Sequence, residues 1–532
     1  MNKKALIFLV IILAVAGFFR FWQLDKIPPG LYPDEAMNGN DALDLMRKGE
    51  FRTFYPDNNG REGLFVWLLA FSFWIFGPSI WSIKVVSALS GVLTILGIYL
   101  LVKEIFKLTE KKKEEIIRIA LLSSLFLAVS FWHVNFSRIA FRAILIPLLL
   151  TFGFYFLFRA FNSLKENLNL KIMLSIAASG IIFGLGFYTY ISYRFIAILG
   201  PLVLLFWWLI IRKKVFFKAA GILIVFMLLT FLPLGIYFLQ NPGDFFGRAT
   251  GVSVLSHETP LLKLGESIIS HLAMFNFQGD HNWRHNYSSA PLLLWPVGLL
   301  FLLGIALSLK KIYKGARKRN YRSLALYSFL TSWFLIMLFP GFLSAEGIPH
   351  SLRVIGAIPP VYIFAGIGFS KIIEILKRLR FNIRSAAVYI PFVILLIAIV
   401  FVQFDKYFLD WAKKEEVEHA FSKNYVSIGK YLNSLPESAQ KIVVVNASGV
   451  PVPLPDGIPM PAQTAIFIER TGNHSVGAEY ILPEEINNIK SSGEDLFLIP
   501  LNPEEAISRE FPNAEKINKE GFQVLKIKYN KK

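Results

Sequence analysis

Leu64-Phe65-Val66-Trp67-Leu68-Leu69-Ala70-Phe71-Ser72-Phe73-Trp74-Ile75-Phe76, closed by Gly77-Pro78, decides how this chain is threaded. The stretch carries no charge, yet at 1.5 Å per residue a helix of this length reaches only about 20 Å, short of a hydrocarbon core of roughly 30 Å. If it crossed a membrane, every later loop would change sides. Its length and its Gly-Pro stop predict instead a re-entrant or interfacial helix.

On either side lie longer apolar runs. The spacing predicts about eleven spans, over residues 5–22, 80–102, 116–131, 144–158, 172–187, 195–211, 219–239, 291–309, 324–339, 354–369 and 386–404, each near the length a bilayer needs. Lipid cannot satisfy free backbone groups, so each span must be helical. Composition agrees: of 532 residues, 54% are hydrophobic and 17% charged, whereas soluble chains carry about 25% charged residues. The first run has a small-residue stretch, Ala14-Val15-Ala16, that resembles a signal cleavage site. Its apolar character continues through Phe18, Phe19, Phe21 and Trp22, which favours an uncleaved anchor.

The net charge of +19 would suggest nucleic acid in a soluble protein. Here the cations flank spans, gathering in loops 103–118, 159–171, 212–218, 310–322 and 371–384. By the positive-inside rule those loops are cytoplasmic. The N-terminus then lies inside, the C-terminus lies outside, and the setting is the plasma membrane. Outer chemistry must come from loop 23–79, the turns near Arg138 and Arg194, loop 240–290 and loop 341–353. The absence of cysteine removes disulfides and thiolate chemistry. Residues 1–404 read as the membrane domain and 405–532 as a small outer α/β domain, with a helical pattern at 417–432 and strand-like runs at 442–445, 496–500 and 522–528.

The first outer loop opens with Ile27-Pro28-Pro29-Gly30-Leu31-Tyr32-Pro33-Asp34-Glu35, followed by a helical pattern that Gly49 stops. Asp34 and Glu35 fall in the first turn, where the helix dipole favours anions. They are either simple first-turn acids or a pair that includes a general base. Arg138, Arg142, Arg194 and Arg353 sit at outer span ends, against the positive-inside bias. Their anionic partner is a lipid-carrier phosphate, held with bidentate geometry, or else headgroups or the acids Asp34, Glu35, Glu62 and Glu346. His281 and His285 are four residues apart, but their neighbours predict a loop and no third ligand is evident, so no metal site is assigned. His350 lies one helical turn from Arg353 and is a candidate beside it or a structural hydrogen-bonder. There is no Walker loop, dinucleotide fingerprint or serine elbow.

The chain resembles the GT-C class of membrane glycosyltransferases, in particular the protein O-mannosyltransferase and aminoarabinose transferase family. The matching residues are Asp34-Glu35-Ala36, Gly39, Ala42, Gly49, Gly60-Arg61-Glu62-Gly63-Leu64-Phe65, Phe76-Gly77, Trp81 and Lys84. Further matches are Ser137-Arg138-Ile139-Ala140-Phe141-Arg142, Tyr188-Thr189-Tyr190 with Arg194, and Pro349-His350 with Arg353. Gly63 stands where similar proteins have Pro, and Lys84 where they have Arg. The resemblance covers roughly residues 5–405.

It implies a GT-C fold with juxtamembrane helices in the first outer loop, and inverting transfer of a sugar from a polyprenyl-phosphate donor to a hydroxyl of a protein, lipid or glycan acceptor. It also implies that the acidic pair Asp34 and Glu35 serves as general base and acceptor clamp, with the base at Asp34, and the four arginines read above as phosphate ligands then hold the donor. Arg61, Glu62, Tyr190 and His350 support them. No cofactor is required, and a divalent cation stays open because some members of the class use one. The rival reading is a lipid-linked-sugar flippase or transporter, which would need ionisable residues or broken helices along its path.

Overall fold

The computed structural model describes residues 3–164, 166–378, 390–452, 457–472, 477–490 and 494–528. From the N-terminus, α1 (Lys3–Phe21) is followed by α2 (Pro33–Lys48), the hairpin β1 (Phe54–Tyr55) and β2 (Arg61–Glu62), α3 (Leu64–Phe76) and α4 (Ile80–Ile105). Then come α5 (Lys113–Val129), α6 (Phe131–Phe136), α7 (Leu145–Ser163), α8 (Leu170–Gly186), α9 (Ile196–Ile211), α10 (Lys214–Gln240), α11 (Pro242–Gly251) and α12 (Pro260–Ala273). The run continues through α13 (Trp295–Arg317), α14 (Tyr321–Ile336), α15 (Phe339–Phe342), α16 (Ile358–Arg378) and α17 (Ile390–Phe404). Last are α18 (Glu415–Ala420), α19 (Lys423–Leu432), β3 (Gln440–Val444), α20 (Ala462–Arg470), β4 (Glu479–Ile481), β5 (Leu496–Pro500), α21 (Glu505–Glu510), β6 (Glu515–Lys519) and β7 (Phe522–Ile527).

Every expected span coincides with a helix. Nine helices among the described residues are long and apolar enough to cross a membrane. The other two, α5 and α8, have 17 residues each, about 25 Å of helix. Residues 386–389 of the last expected span, Lys165, and the basic loop from residue 379 to 384 lie outside the described residues. The deciding stretch is a separate helix, α3, with the bounds its composition predicts and Gly77 at φ +74° ending it. One face of α3 buries Phe65, Val66, Leu69 and Phe73, while Phe71 and Trp74 stay exposed.

The contacts divide the chain into two compact units, and the division does not follow the linear cut at 404. The first unit comprises residues 1–22, 87–138 and 142–411. Its helices pack closely where glycine permits: a Cβ on Gly304 of α13 would lie 2.0 Å from the Phe364 carbonyl of α16. The last span continues in a wider π-helical turn over 405–410, with Tyr407, Phe408 and Trp411 buried in this unit, so soluble character begins later than composition suggests.

The second unit comprises residues 23–86, 139–141 and 412–532. Its five-stranded sheet has the order β4-β3-β5-β7-β6, with β3 parallel to β4 and β5 and the pairs involving β7 antiparallel. Alternation separates the two faces. Val443, Phe497, Ile499 and Val524 pack with Ile428 and Leu432 of α19 and Ala465 of α20, whereas Ile442, Val444, Leu496, Leu498 and Leu525 face Ile486 and Ile507. Helix α20 then packs on α2. Asn40 Nδ2 donates to Gln463 Oε1 at 2.9 Å, and Arg470 pairs with Asp44 at 2.7 Å. Gly30, at φ +89°, lets the loop backbone run against Phe421, whose carbonyl oxygen would lie 2.3 Å from any Cβ there. The helical pattern at 417–432 is broken into α18 and α19 at Ser422, which takes φ +53°.

Candidate active site

In the second unit the site is built on the first turns of α2. Pro33 occupies the first helical turn, where its missing N–H is not needed, and Asp34 and Glu35 follow it. Glu35 is fully buried. One carboxylate oxygen accepts the Ala140 amide at 2.9 Å and the other accepts the Tyr32 amide at 3.3 Å. Burial raises the Glu35 carboxyl above its ordinary range, opposed by the nearby Lys84 charge. Lys84 itself donates to the carbonyls of Pro28 and Gly30 at 3.1 and 3.2 Å. Glu35 is thus a strut joining the loop, α2 and residues 139–141.

Asp34 differs from its neighbour. It is half-buried, and its carboxylate accepts a hydrogen bond from the Asn58 side-chain amide. Asn58, Asn59 and Gly60 all take positive φ (53°, 61° and 84°), a backbone that Asn and Gly tolerate best, and this turn carries the amide that meets Asp34. The same turn leads into Arg61, which is buried, forms an ion pair with Asp41 and donates to Asn38 Oδ1 at 3.0 Å. Burial raises the Asp41 carboxyl and Arg61 opposes the rise. Glu62 is buried beside it in the chain. Asp34, Asn38 and Asp41 stand at i, i+4 and i+7 on one face of α2. That polar face was the available signal for Asn38 and Asp41, which sequence reasoning missed.

In the first unit each predicted cation has its own partners. Arg138 is fully buried and donates to the carbonyls of Phe19 and Trp22 at 3.0 and 2.7 Å, with its guanidinium 5.0 Å from the Phe408 ring. It closes the C-terminal end of α1, as cations do at helix ends. Arg142 lies over Tyr190 at 5.2 Å, so the structure brings those two predicted residues together. Arg194 donates to the Phe245 carbonyl at 2.6 Å and lies 4.2 Å from its ring. Arg353 pairs with the exposed Glu346 at 2.6 Å, one of the partners its charge predicted. Sequence reasoning passed over Arg20, which is buried at the end of α1 and meets His133 Nδ1 at 2.7 Å. Its only signal was a lone charge inside an apolar run.

His350 does not stand alone with Arg353. Its backbone amide donates to His271 Nε2 at 3.0 Å, and its ring centroid lies 4.8 Å from that of His285. Asp280 Oδ2 lies 3.2 Å from His285 Nδ1 and 4.0 Å from His350 Nδ1. His281, the other half of the predicted pair, faces Ser289 Oγ at 2.7 Å.

Residues 64–237 match a family described as dolichyl-phosphate-mannose-protein mannosyltransferase. No curated protein matches the sequence. Among solved structures, ArnT from Cupriavidus metallidurans bound to undecaprenyl phosphate is similar over 97% of each chain, at 15% identity and a TM-score of 0.56. The apo state of that ArnT covers 98% of each chain at 14% identity and a TM-score of 0.57. AglB, the oligosaccharyltransferase of Archaeoglobus fulgidus, in complex with an inhibitory peptide and a dolichol-phosphate, matches 94% of this chain and 69% of its own at 13% identity and a TM-score of 0.55. At these identities the likeness is one of fold. With its apolar helices, its small terminal sheet and the family match over residues 64–237, this chain is a multi-pass membrane protein with the GT-C glycosyltransferase fold.

Proposed function

We propose that this protein is an inverting glycosyltransferase that moves a sugar from a polyprenyl-phosphate carrier to an acceptor hydroxyl on the outer face of the membrane. The observation that carries the reading is the division of labour within the acidic pair. Glu35 has both oxygens committed to backbone amides, whereas Asp34 is half-buried and, among the described residues, accepts from the Asn58 amide alone. Asp34 is therefore the carboxylate with lone pairs available for a substrate proton. The match to a mannosyltransferase family over residues 64–237, and a fold shared with proteins solved with undecaprenyl phosphate and dolichol-phosphate, support the lipid-linked donor.

In the proposed reaction Asp34 takes the acceptor O–H proton as that oxygen bonds to the anomeric carbon. The bond from that carbon to the carrier phosphate breaks on the opposite face, and the polyprenyl phosphate leaves as an anion. A phosphate needs no general acid, and arginine charge serves to stabilise it. Arg353 suits this role because its present partner, Glu346, is an exposed carboxylate that a phosphate can replace. Arg142 and Arg194 are further candidates, and Arg138 contributes by fixing the end of α1.

The test is transfer from radiolabelled polyprenyl-phosphate sugars to membrane extract by the purified wild type and Asp34→Asn. Label moved by the wild type and lost in the variant is expected. Donor binding without transfer by the wild type, across several donors, would overturn the proposal in favour of a lipid-linked-sugar transporter.

A further inference from the structure

The loop between α12 and α13 and the loop between α15 and α16 meet at three side chains that neither the transfer chemistry nor the packing uses fully. Asp280, His285 and His350 each offer a ligand atom, and these three atoms lie within 4.8 Å of one another. All three residues belong to the first unit. Asp280 and His285 are 5% and 6% exposed and His350 is 14% exposed. Two imidazoles and one carboxylate are the donor set of a zinc-type ion rather than of magnesium or calcium, which prefer oxygen.

We propose that Asp280, His285 and His350 form a transition-metal site of zinc type that pins the 350 loop to the 280 loop and leaves a fourth position open. Three features support it. First, Zn–N and Zn–O bonds of about 2.0–2.1 Å put tetrahedral ligand atoms about 3.3 Å apart. Asp280 Oδ2 and His285 Nδ1 are already 3.2 Å apart, and His350 Nδ1, 4.0 Å from Asp280 Oδ2, lies in a set of ligand atoms all within 4.8 Å of one another, so the His350 side chain closes on the other two by about 1–1.5 Å. Second, His350 Nδ1 is buried and has no hydrogen-bond partner among the described residues, and its 4.0 Å approach to Asp280 is too long to be one. An orphaned buried nitrogen is destabilising unless something fills its lone pair. Third, the carboxylate is held from outside as metal ligands are. The Ser351 amide and hydroxyl donate to Asp280 Oδ2 at 2.8 and 2.9 Å, and the Asn282 amide donates to Oδ1 at 2.9 Å.

The protonation states agree with that geometry. Burial, with His285 and Arg353 adding to it, holds the His350 imidazole well below its ordinary range, so it is neutral and able to ligate. Burial works to raise Asp280, but His285, His350 and the Asn282 amide outweigh it and keep the carboxylate ionised. Binding replaces the 3.2 Å contact between His285 Nδ1 and Asp280 Oδ2 by a bond from each atom to the ion. The nearby Arg353 charge opposes a cation, and its pairing with Glu346 offsets that repulsion. His350 also adjoins Pro349 and lies three residues before Arg353, so the ion would fix the segment that carries Arg353.

The test reads metal rather than transfer, so its failure is distinct from failure of the transferase reading. The full-length chain in detergent, stripped with chelator, is titrated with Co2+ followed by visible absorption, and the bound Co2+ is displaced with Zn2+. The wild type is expected to saturate at about one equivalent. His285→Asn and His350→Asn should bind at least about 100-fold more weakly, and Ser351→Ala about 10–100-fold more weakly, as loss of an outer hydrogen bond does. His281→Asn, four residues from His285 and outside the cluster, should match the wild type. Substoichiometric binding by the wild type overturns the proposal, even if a cluster variant fails to fold. Equal binding by folded His350→Asn and wild type does so too.

Discussion

Replacing Arg61 by Met tests whether the α2 site is held by charge or by packing. Arg61 is 1% exposed and its partner Asp41 is 18% exposed. Removing one member of a buried pair costs about 3–5 kcal/mol, because the other charge stays behind unpaired. Asp41 keeps some access to water, which lowers that figure, and the lost bond to Asn38 and contact with the Tyr55 ring raise it. A net loss of about 3 kcal/mol follows, and at about 2–4 °C per kcal/mol for a unit of this size the thermal midpoint should fall by about 6–12 °C. The assay is unfolding in detergent, followed by intrinsic fluorescence at pH 5 and pH 8. Burial raises Asp41 above its ordinary value of 3.8, so its favourable contribution is full below that value and is lost as pH rises through the raised one. Without Arg61 the carboxyl rises further, so the gap between variant and wild type should be wider at pH 8 than at pH 5. Adding Asp41→Asn should recover about 2 kcal/mol. A gap independent of pH, with strictly additive effects in the double variant, would refute the electrostatic account.

Asp34→Asn should lower transfer by about 10²–10⁴-fold while leaving donor binding and the thermal midpoint unchanged, and wild-type turnover would remove Asp34 from the mechanism. Gly30→Ala should destabilise the second unit by at least about 2 kcal/mol, since φ is +89° and the Phe421 carbonyl leaves no room for a Cβ; an unchanged midpoint would contradict the close approach. Arg353→Ala should weaken binding of the polyprenyl-phosphate donor by about 10–100-fold, the equivalent of one charged hydrogen bond, and equal affinity would send the phosphate elsewhere.

Local chemistry was readable where its cause is local. Gly77-Pro78 ends α3 and Gly49, at φ +70°, ends α2, each as its residue type predicts. The strands β3, β5 and β7 show as apolar runs because their side chains are buried. Strand β6 does not, because it is an edge whose Glu515, Lys516, Asn518 and Lys519 are exposed, and β4 is only three residues long. The break at Ser422 is invisible locally, since the Gly30 backbone that packs there lies far off in the chain. Within the site, the acidic pair was legible but its roles were not. Glu35 is locked by the Ala140 amide 105 residues away, and Asp280 meets Ser351 across 71 residues.

The second unit is assembled from three stretches of chain, and that sets an order on its making. Asn40 on α2 waits for Gln463 on α20, 423 residues later. At about 5–20 residues per second, ribosomes need about 20–80 s to supply that partner. Throughout that interval α2 keeps Asn40, Asp44 and the apolar surface under Phe467 without the helix that covers them. A chain stalled in that period should be cut by proteases at α2 faster than the finished protein, because the surface α20 covers is still bare. A chain interrupted before Ala462 would retain its membrane helices and both site carboxylates, yet hold α2 without the surface it folds against.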